Sequence, residues 1–344
     1  KKSNIYSLPN ELEINVSKKI VDNIKSADQV RFGKNGADAN SAAIRIARHQ
    51  TQKDIILFCG YHGWHDWYIS KTSRNYGIPK NIGKLTYNFI YNDIDSLKNC
   101  FTKFNNNVAA VIMEPMNIEF PKNNFLNKVK DLCKKNNSLL IFDEIITGFR
   151  FSVGGAQEIF NISPDLTTFG KGLSNGFPLS AVVGKKKYMK HLDNIFFSTT
   201  QGTETTSLAA SLAAIDKFKK KNISKYLNEI GNYLITKFNK MLVNLKIEDL
   251  VTIKGHPSWT FIVFKNIYNI DLNIIKSFFI EQCIEKNLLC LGTHNLTYAH
   301  TYKDIDILIQ NYYIIFEKLN TLLLNKKIEN HIKGKILKPV FKVR

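Results

Sequence analysis

Two runs, LLIFDEIITGFR (139–150) and PDLTTFGKGLSNGFPLSAVVG (164–184), decide how this chain folds. Each begins with a short apolar segment and breaks into polar or glycine-rich sequence, the pattern of a buried strand feeding a loop. Asp143 closes the first apolar segment, where an unpaired carboxylate is costly. It needs a cationic partner, either a protonated ring nitrogen or an ion pair with Arg150 or a lysine. Lys171 follows the next segment, between Gly170 and Gly172. The chain carries 42 Lys against 6 Arg, most of the lysines in solvated runs such as FKKKN and GKKKY, and Lys171 stands apart from them. A lysine drawn out of water has its pKa lowered and becomes an amine nucleophile for carbonyls, and the flanking glycines leave room for a bulky adduct. An exposed loop lysine is the plainer alternative.

Working outward, similar apolar runs recur at VRFG (30–33), DIILFCG (54–60), VAAVIME (108–114) and LSAVVG (179–184). Amphipathic stretches such as SAAIRIARH (41–49), IDSLKNCFTKF (94–104) and NNFLNKVKDLCKKN (123–136) lie between them. Strands alternating with helices predict an α/β domain around a mostly parallel sheet. Beyond about residue 206 long helical patterns take over, with strands expected at VTIKG and WTFIVF, which outlines a smaller α+β domain. The expected division is 1–29 as the remnant of an N-terminal region, 30–215 as the large domain and 216–344 as the small one. The charged tail 325–344 is expected to pack loosely, with strand character at KPVFKV.

The 344 residues, 44% hydrophobic and 22% charged, suit a globular protein with a large core. No apolar run reaches about 18 residues, so no membrane span is expected. The net charge of +19 invites a nucleic-acid reading, but the lysines are spread along the chain and form no basic helix or patch. Five cysteines without a C-x-x-C pair suit reduced thiols in a cytoplasmic protein.

Ligands of open α/β sheets bind at the carboxyl ends of the strands. Gly36, in GKNGAD, stands where a loop becomes a helix, so backbone N–H groups there can meet a phosphate; an N-cap turn closed by Asp38 or Asn40 is the simpler reading. In YHGWHD, Tyr61 and His62 offer flat rings that could stack on a planar ligand. His62, His65 and Asp66 have possible metal spacing, but no further cluster matches them, and a metal site is not expected. A lysine for an aldehyde, an acid for a ring nitrogen, an aromatic face and a helix N-terminus are together what pyridoxal phosphate (PLP) requires.

On these motifs the chain resembles the class III aminotransferases, the fold-type I PLP family that includes glutamate-1-semialdehyde aminomutase, from about residue 8 to the C-terminus. The resemblance implies that Lys171, 28 residues after Asp143, holds the cofactor as a Schiff base and then shuttles a proton between Cα and C4′. It implies that Asp143 pairs with the ring nitrogen, that Tyr61 and Ile145 pack on the two ring faces, and that Gly36 and Ala37 give N–H groups to the phosphate. Glu114 of VIMEPM matches the family's active-site glutamate. A threonine of FFSTTQGTETTSLAA, Thr200 before Thr203, would cross to the partner's phosphate in a homodimer with composite sites. Arg31 and Arg150 are candidates for a substrate carboxylate. The implied activity is amino transfer between an amine and a carbonyl compound. An intramolecular aminomutase is one alternative, and an inactive PLP-binding or basic interaction protein is another. The family has roughly a hundred further residues ahead of the lysine, so an N-terminal segment is expected to be missing.

Overall fold

Every apolar run singled out above is a strand in the computed structural model, which describes residues 4–338 apart from Ser7, Ile267, Tyr268 and Lys326. The chain divides at Asn222/Ile223 into two compact units, with Ile118–Phe120 belonging to the second. The helix Thr205–Lys220 therefore lies wholly in the first unit, and the boundary expected after residue 215 falls inside it.

The first unit holds β1 (Gln29–Gly33), β2 (Ile55–Cys59), β3 (Thr86–Asn88), β4 (Val108–Met113), β5 (Leu139–Asp143), β6 (Leu166–Phe169) and β7 (Ser180–Gly184). They form one seven-stranded sheet in the order β1-β7-β6-β5-β4-β2-β3. Strands β2 to β6 pair parallel, and β7 runs antiparallel to both β6 and β1. All residues of β4, β5, β6 and β7 are buried, as near-continuous apolar strands covered on both faces must be. On one face the alanine-rich helix Gly36–Thr51 lays Ala42, Ala43, Ile46 and Ala47 against Ile56, Ala110, Ile112 and Ile141. On the other, Leu97, Phe101 and Val129 of the helices Ile94–Lys103 and Phe125–Lys135 cover Leu57, Val111 and Leu140. The helices Glu11–Asn23 and Thr205–Lys220 complete the core through Val16, Ile20, Leu208 and Ile215.

The second unit is an antiparallel sheet, ordered β10-β9-β8, of β8 (Val251–His256), β9 (Trp259–Phe264) and β10 (Thr293–Asn295). Its helices Ile223–Leu245, Leu272–Glu285 and Tyr302–Leu324 share a core built on Phe238, Phe278, Phe279, Tyr312 and Phe316. The tail is tied to this unit at several points as far as Leu337, although residues 333–338 are exposed. Ile328 is buried in this core, Glu281 accepts from Lys333 N and Gly334 N, and Leu337 N donates to Ser277 Oγ at 2.8 Å. Tail backbone that can dock its N–H groups on side chains of a helix has no need to fray. KPVFKV lies outside the described residues from Pro339 onward.

Turns follow an unusual rule. Among the described residues fifteen non-glycine residues have positive φ, and eleven of them are asparagine. Asparagine tolerates this left-handed region better than other side chains. Lys171, at φ 40°, is one of the four that are not asparagine.

Candidate active site

A cavity of about 540 Å³ opens in the first unit where β1, β2, β4, β5 and β6 end. Its wall draws Lys34–Ala37 and Asn40 from the β1 side and Tyr61, Gly63 and Trp64 from after β2. Glu114 comes from after β4, Asp143, Ile145 and Ile146 from β5, and Gly170, Lys171 and Gly176–Leu179 from after β6. Gly36, Ala37, Tyr61, Glu114, Asp143, Ile145 and Lys171, scattered over 136 positions in sequence, thus meet on one surface.

Asp143 is buried at the tip of β5 and three donors reach it. Its Oδ2 accepts from Asn40 Nδ2 and stands against His62 Nδ1, each at 2.8 Å, and its Oδ1 accepts from Ile145 N at 3.2 Å. A carboxylate has about four lone-pair positions, so one remains for the cavity it lines. Asn40 is itself fixed, since Nδ2 also reaches His62 O and Oδ1 accepts from Thr168 Oγ1 at 2.6 Å. It caps nothing. The helix start is closed instead by Asp38, whose Oδ2 accepts from Asn35 N at 2.8 Å.

His62 departs from expectation. It is wholly buried behind Asp143, stacked on Trp67 at 6.2 Å, and absent from the cavity wall. Residues adjacent along an extended segment point to opposite sides, so when Tyr61 faces the cavity His62 faces the core. Its Nε2 is buried without a hydrogen-bond partner. His65 turns to Ser41 Oγ at 2.6 Å, and among the described residues no group of three His, Cys, Asp or Glu could hold a metal.

Tyr61 holds its ring half-exposed on the wall, edge-on to Tyr68, while its N–H donates to Glu114 Oε2 at 3.2 Å. The same oxygen accepts from Asn117 Nδ2 at 2.5 Å, a contact the sequence did not disclose. Gly36 has no room for a Cβ unless Ile145 shifts, because a Cβ there would fall on Ile145 Cδ1. Gly63, at φ +98°, approaches Ala37 so closely that a Cβ would lie 2.7 Å from Ala37 Cβ. Of the two glycines beside Lys171, Gly170 lies on the cavity wall with nothing nearer than 3.4 Å to a Cβ there, whereas Gly172 does something other than leave space for an adduct. A Cβ on Gly172 would meet Phe149 O at 3.0 Å and Gly148 O at 3.2 Å, so its bareness lets two loops pack.

Neither candidate arginine lines the cavity. Arg31 sits on the edge strand β1 and donates to Phe197 O at 3.3 Å, and Arg150 lies deep enough for burial to lower its pKa. The cations on the wall, among the described residues, are Lys34 and Lys171. Lys34 Nζ donates to Pro178 O at 2.9 Å, and to Glu204 Oε2 and Ser207 Oγ at 3.2 Å each, tying the loop after Lys171 to the start of the helix Thr205–Lys220. Burial raises the Glu204 carboxyl, but hydrogen bonds from Thr206 and Ser207 outweigh it and hold the group at about 2. Thr200 is exposed, Thr203 accepts from Asn10 through its carbonyl, and neither is on the wall of its own chain's cavity.

Behind the site, Glu144 points away from Asp143 and staples the loop that follows. It accepts from Thr147 Oγ1 at 2.7 Å, Ala156 N at 2.5 Å, Gln157 N at 2.9 Å and Gln157 Nε2 at 3.1 Å. Burial pushes its carboxyl up to about 7 in spite of these donors.

Residues 2–297 match the family described as aminotransferase class-III. The chain belongs to the class III aminotransferase family. It is 33% identical over 309 residues to the 3-aminobutyryl-CoA aminotransferase of Cloacimonas acidaminovorans, an alignment spanning 87% of this chain and 73% of that protein. It is 31% identical over 344 residues to a glutamate-1-semialdehyde 2,1-aminomutase of Sulfurihydrogenibium sp., over 92% and 80% of the two. Among solved structures the fold matches an omega-transaminase from Sphaerobacter thermophilus (TM-score 0.86, 20% identity, 92% of this chain and 80% of that one). It also matches the PLP internal aldimine form of FumI from Sphingopyxis sp. MTA144 (TM-score 0.85, 24% identity, 93% and 78%). This class III aminotransferase-family chain is a PLP-dependent enzyme with the fold-type I architecture. No described helix is long and apolar enough to cross a membrane.

The wall fits that cofactor. Gly36 and Ala37 open a sixteen-residue helix whose first N–H groups have no partner within the helix and whose dipole favours an anion. Gly36 and Gly63, bare where a Cβ would press on Ile145 and Ala37, let this helix start line the cavity, and Asp143 offers its remaining lone pair on the same wall.

Proposed function

We propose that this enzyme transfers an amino group between an amine or amino-acid donor and a carbonyl acceptor, with Lys171 as the reacting amine and Asp143 as the partner of the cofactor's ring nitrogen. The observation that carries the reading is the meeting of Lys171, Asp143 and the Gly36 helix start on one cavity wall. When bound, PLP supplies a carbonyl that condenses with amines and a ring that takes up electron density as the substrate Cα–H bond breaks. Asp143, oriented by Asn40 and His62, keeps a proton on the ring nitrogen. Lys171 Nζ would remove the proton from Cα and return it at C4′, and Tyr61 and Ile145 would pack on the two faces of the ring. Gly36 and Ala37 N–H groups would anchor the phosphate, and Glu114, held by Tyr61 N and Asn117, would face the bound cofactor from the wall.

The reading extends to a homodimer in which Thr200 serves the partner's phosphate. Its exposure, and the exposed Phe196 (81%) on the same segment, support an intersubunit role. Five free thiols support a cytoplasmic location. The aminomutase relative favours a second reading, in which one molecule is both donor and acceptor.

Borohydride reduction of the PLP-loaded chain, followed by peptide mapping, tests the assignment. The cofactor should be fixed on Lys171, and Lys171→Ala should lose both the label and the visible absorption band. A label on any other lysine, or a band that survives in Lys171→Ala, would sink it, and failure of the folded wild type to take up PLP would favour an inactive or interaction protein. Release of a free keto product from an added amine separates the aminotransferase from the aminomutase.

A further inference from the structure

The pair Asn-Gly occurs twice in the 344 residues, at 35–36 and 175–176, and both copies stand at the same cavity. Asn35, Gly36 and Gly176 line its wall, and Asn175 borders it four positions after Lys171. At such a pair a side-chain amide reacts most readily with its own main chain, because glycine has no Cβ to hinder the approach of its nitrogen. The structure treats the two copies differently. Asn35 is fixed at the start of the helix Gly36–Thr51. Its N and Nδ2 both donate to Asp38 Oδ2, at 2.8 and 3.3 Å, and its carbonyl accepts from Asp38 N at 3.0 Å and Ala39 N at 3.3 Å. Turning the Asn35 side chain onto Gly36 N means opening that helix end. Asn175 is exposed in the loop between β6 and β7. Its N–H donates to Lys171 O at 2.9 Å, but its side-chain amide has no hydrogen-bond partner among the described residues. Gly176 N has none there either, and a Cβ on Gly176 would meet nothing within 4 Å. Gly176 also holds φ +114°, a conformation that glycine alone adopts freely.

We propose that Asn175 is a spontaneous deamidation site on the rim of the cavity, and that Asn35 is protected by the helix end it closes. The Gly176 backbone nitrogen attacks Asn175 Cγ. A C–N bond forms, the bond from Cγ to the side-chain nitrogen breaks, and ammonia leaves with the proton of the Gly176 amide. Water then opens the five-membered imide at either carbonyl, which gives aspartate or isoaspartate. Neither step changes an oxidation state, and solvent water is the one co-reactant. Either product puts a carboxylate next to Gly176–Leu179, which form part of the wall. Isoaspartate also adds a methylene to the main chain between Lys171 and Pro178, whose carbonyl accepts from Lys34 Nζ. The modification thus ages the site. Its effect on the cofactor rests on the amino-transfer reading, whereas the deamidation itself does not.

The test incubates the full chain with PLP at pH 8 and 37 °C, beside the same chain unfolded in urea, and follows both pairs by peptide mass. Each deamidation adds about one dalton and one negative charge. In urea the two asparagines should react within about threefold of each other, since local sequence alone then acts. In the folded chain Asn175 should react at least about tenfold faster than Asn35, which must first open its helix end. Asn175→Gly keeps the left-handed turn and should remove the fast site. PLP affinity, read by spectral titration, should fall about threefold in wild type aged to completion at Asn175, and should not change on ageing of Asn175→Gly. An Asn175 that stays intact in the folded chain while reacting in urea, or an Asn35 that keeps pace with it, would overturn the assignment. Aged wild type that binds PLP as tightly as fresh protein would overturn the effect on the site. Failure of the fresh chain to bind PLP would count against the amino-transfer reading instead, and the peptide masses would still decide the deamidation.

Discussion

Glu144→Gln should change how stability depends on pH. The wild-type carboxyl titrates at about 7 in the folded chain against an ordinary 4.5, because it is wholly buried. At about 1.4 kcal/mol per pH unit, that displacement is worth roughly 3 kcal/mol. The folded chain holds the proton more tightly than the unfolded one. The contribution is therefore complete below pH 4.5, is lost as pH rises through about 7, and is flat above that. Glutamine keeps the size but cannot ionise, so the variant lacks this fall. It also turns an amide N–H₂ toward a site that presents four donors, from Thr147, Ala156 and Gln157, and should start about 1–3 kcal/mol less stable in acid. Urea unfolding from pH 4.5 to 8.5 would measure both. A Trp259→Phe background leaves Trp64 and Trp67 of the first unit as reporters. The net charge differs little between the two proteins, so its pH dependence cancels in the comparison. The wild type's advantage should fall by roughly 3 kcal/mol across the window, closing or reversing the gap. Parallel curves would show that Glu144 does not titrate there, and the argument from burial would fail.

Three further substitutions probe separate links. Gly36→Ala drives a methyl onto Ile145 Cδ1 and should weaken PLP binding by about 1–3 kcal/mol, measured by spectral titration, with partial recovery in Gly36→Ala/Ile145→Val. His62→Phe removes the Nδ1 contact to Asp143 while keeping the stack on Trp67, so PLP affinity should fall about tenfold with the fold intact by circular dichroism; unchanged affinity would mean Asn40 and Ile145 N suffice to orient the acid. Gly231→Ala puts a Cβ on the Pro257 carbonyl, and its cost of 2 kcal/mol or more should appear in the unfolding of the second unit.

The sheet was legible because its strands are apolar on both faces, whereas β3 was not. TYN (86–88) is three residues long at a sheet edge, too short for any periodicity to register. Lys171, Asp143 and Tyr61 could be read from where they stand relative to apolar runs. Asn40 could not, because its partner is 103 residues away and nothing local distinguishes a bridging amide from a cap. His62 and the flanking glycines were visible as residue types, but their direction was not. Side-chain alternation places His62 against the core, and a missing Cβ records close packing as readily as open space.

The backbone at Lys171 bears on whether the site is a relic. Among the described residues asparagine stands at eleven of the fifteen non-glycine left-handed positions, a choice that relieves strain in a turn. At residue 171 it keeps a lysine in a conformation that a non-glycine L-residue resists, at a cost on the order of 1 kcal/mol. Folding alone would favour asparagine or glycine there. An apo Lys171→Asn chain should accordingly be no less stable than the wild type, the outcome expected if the amine at this position serves the proposed chemistry.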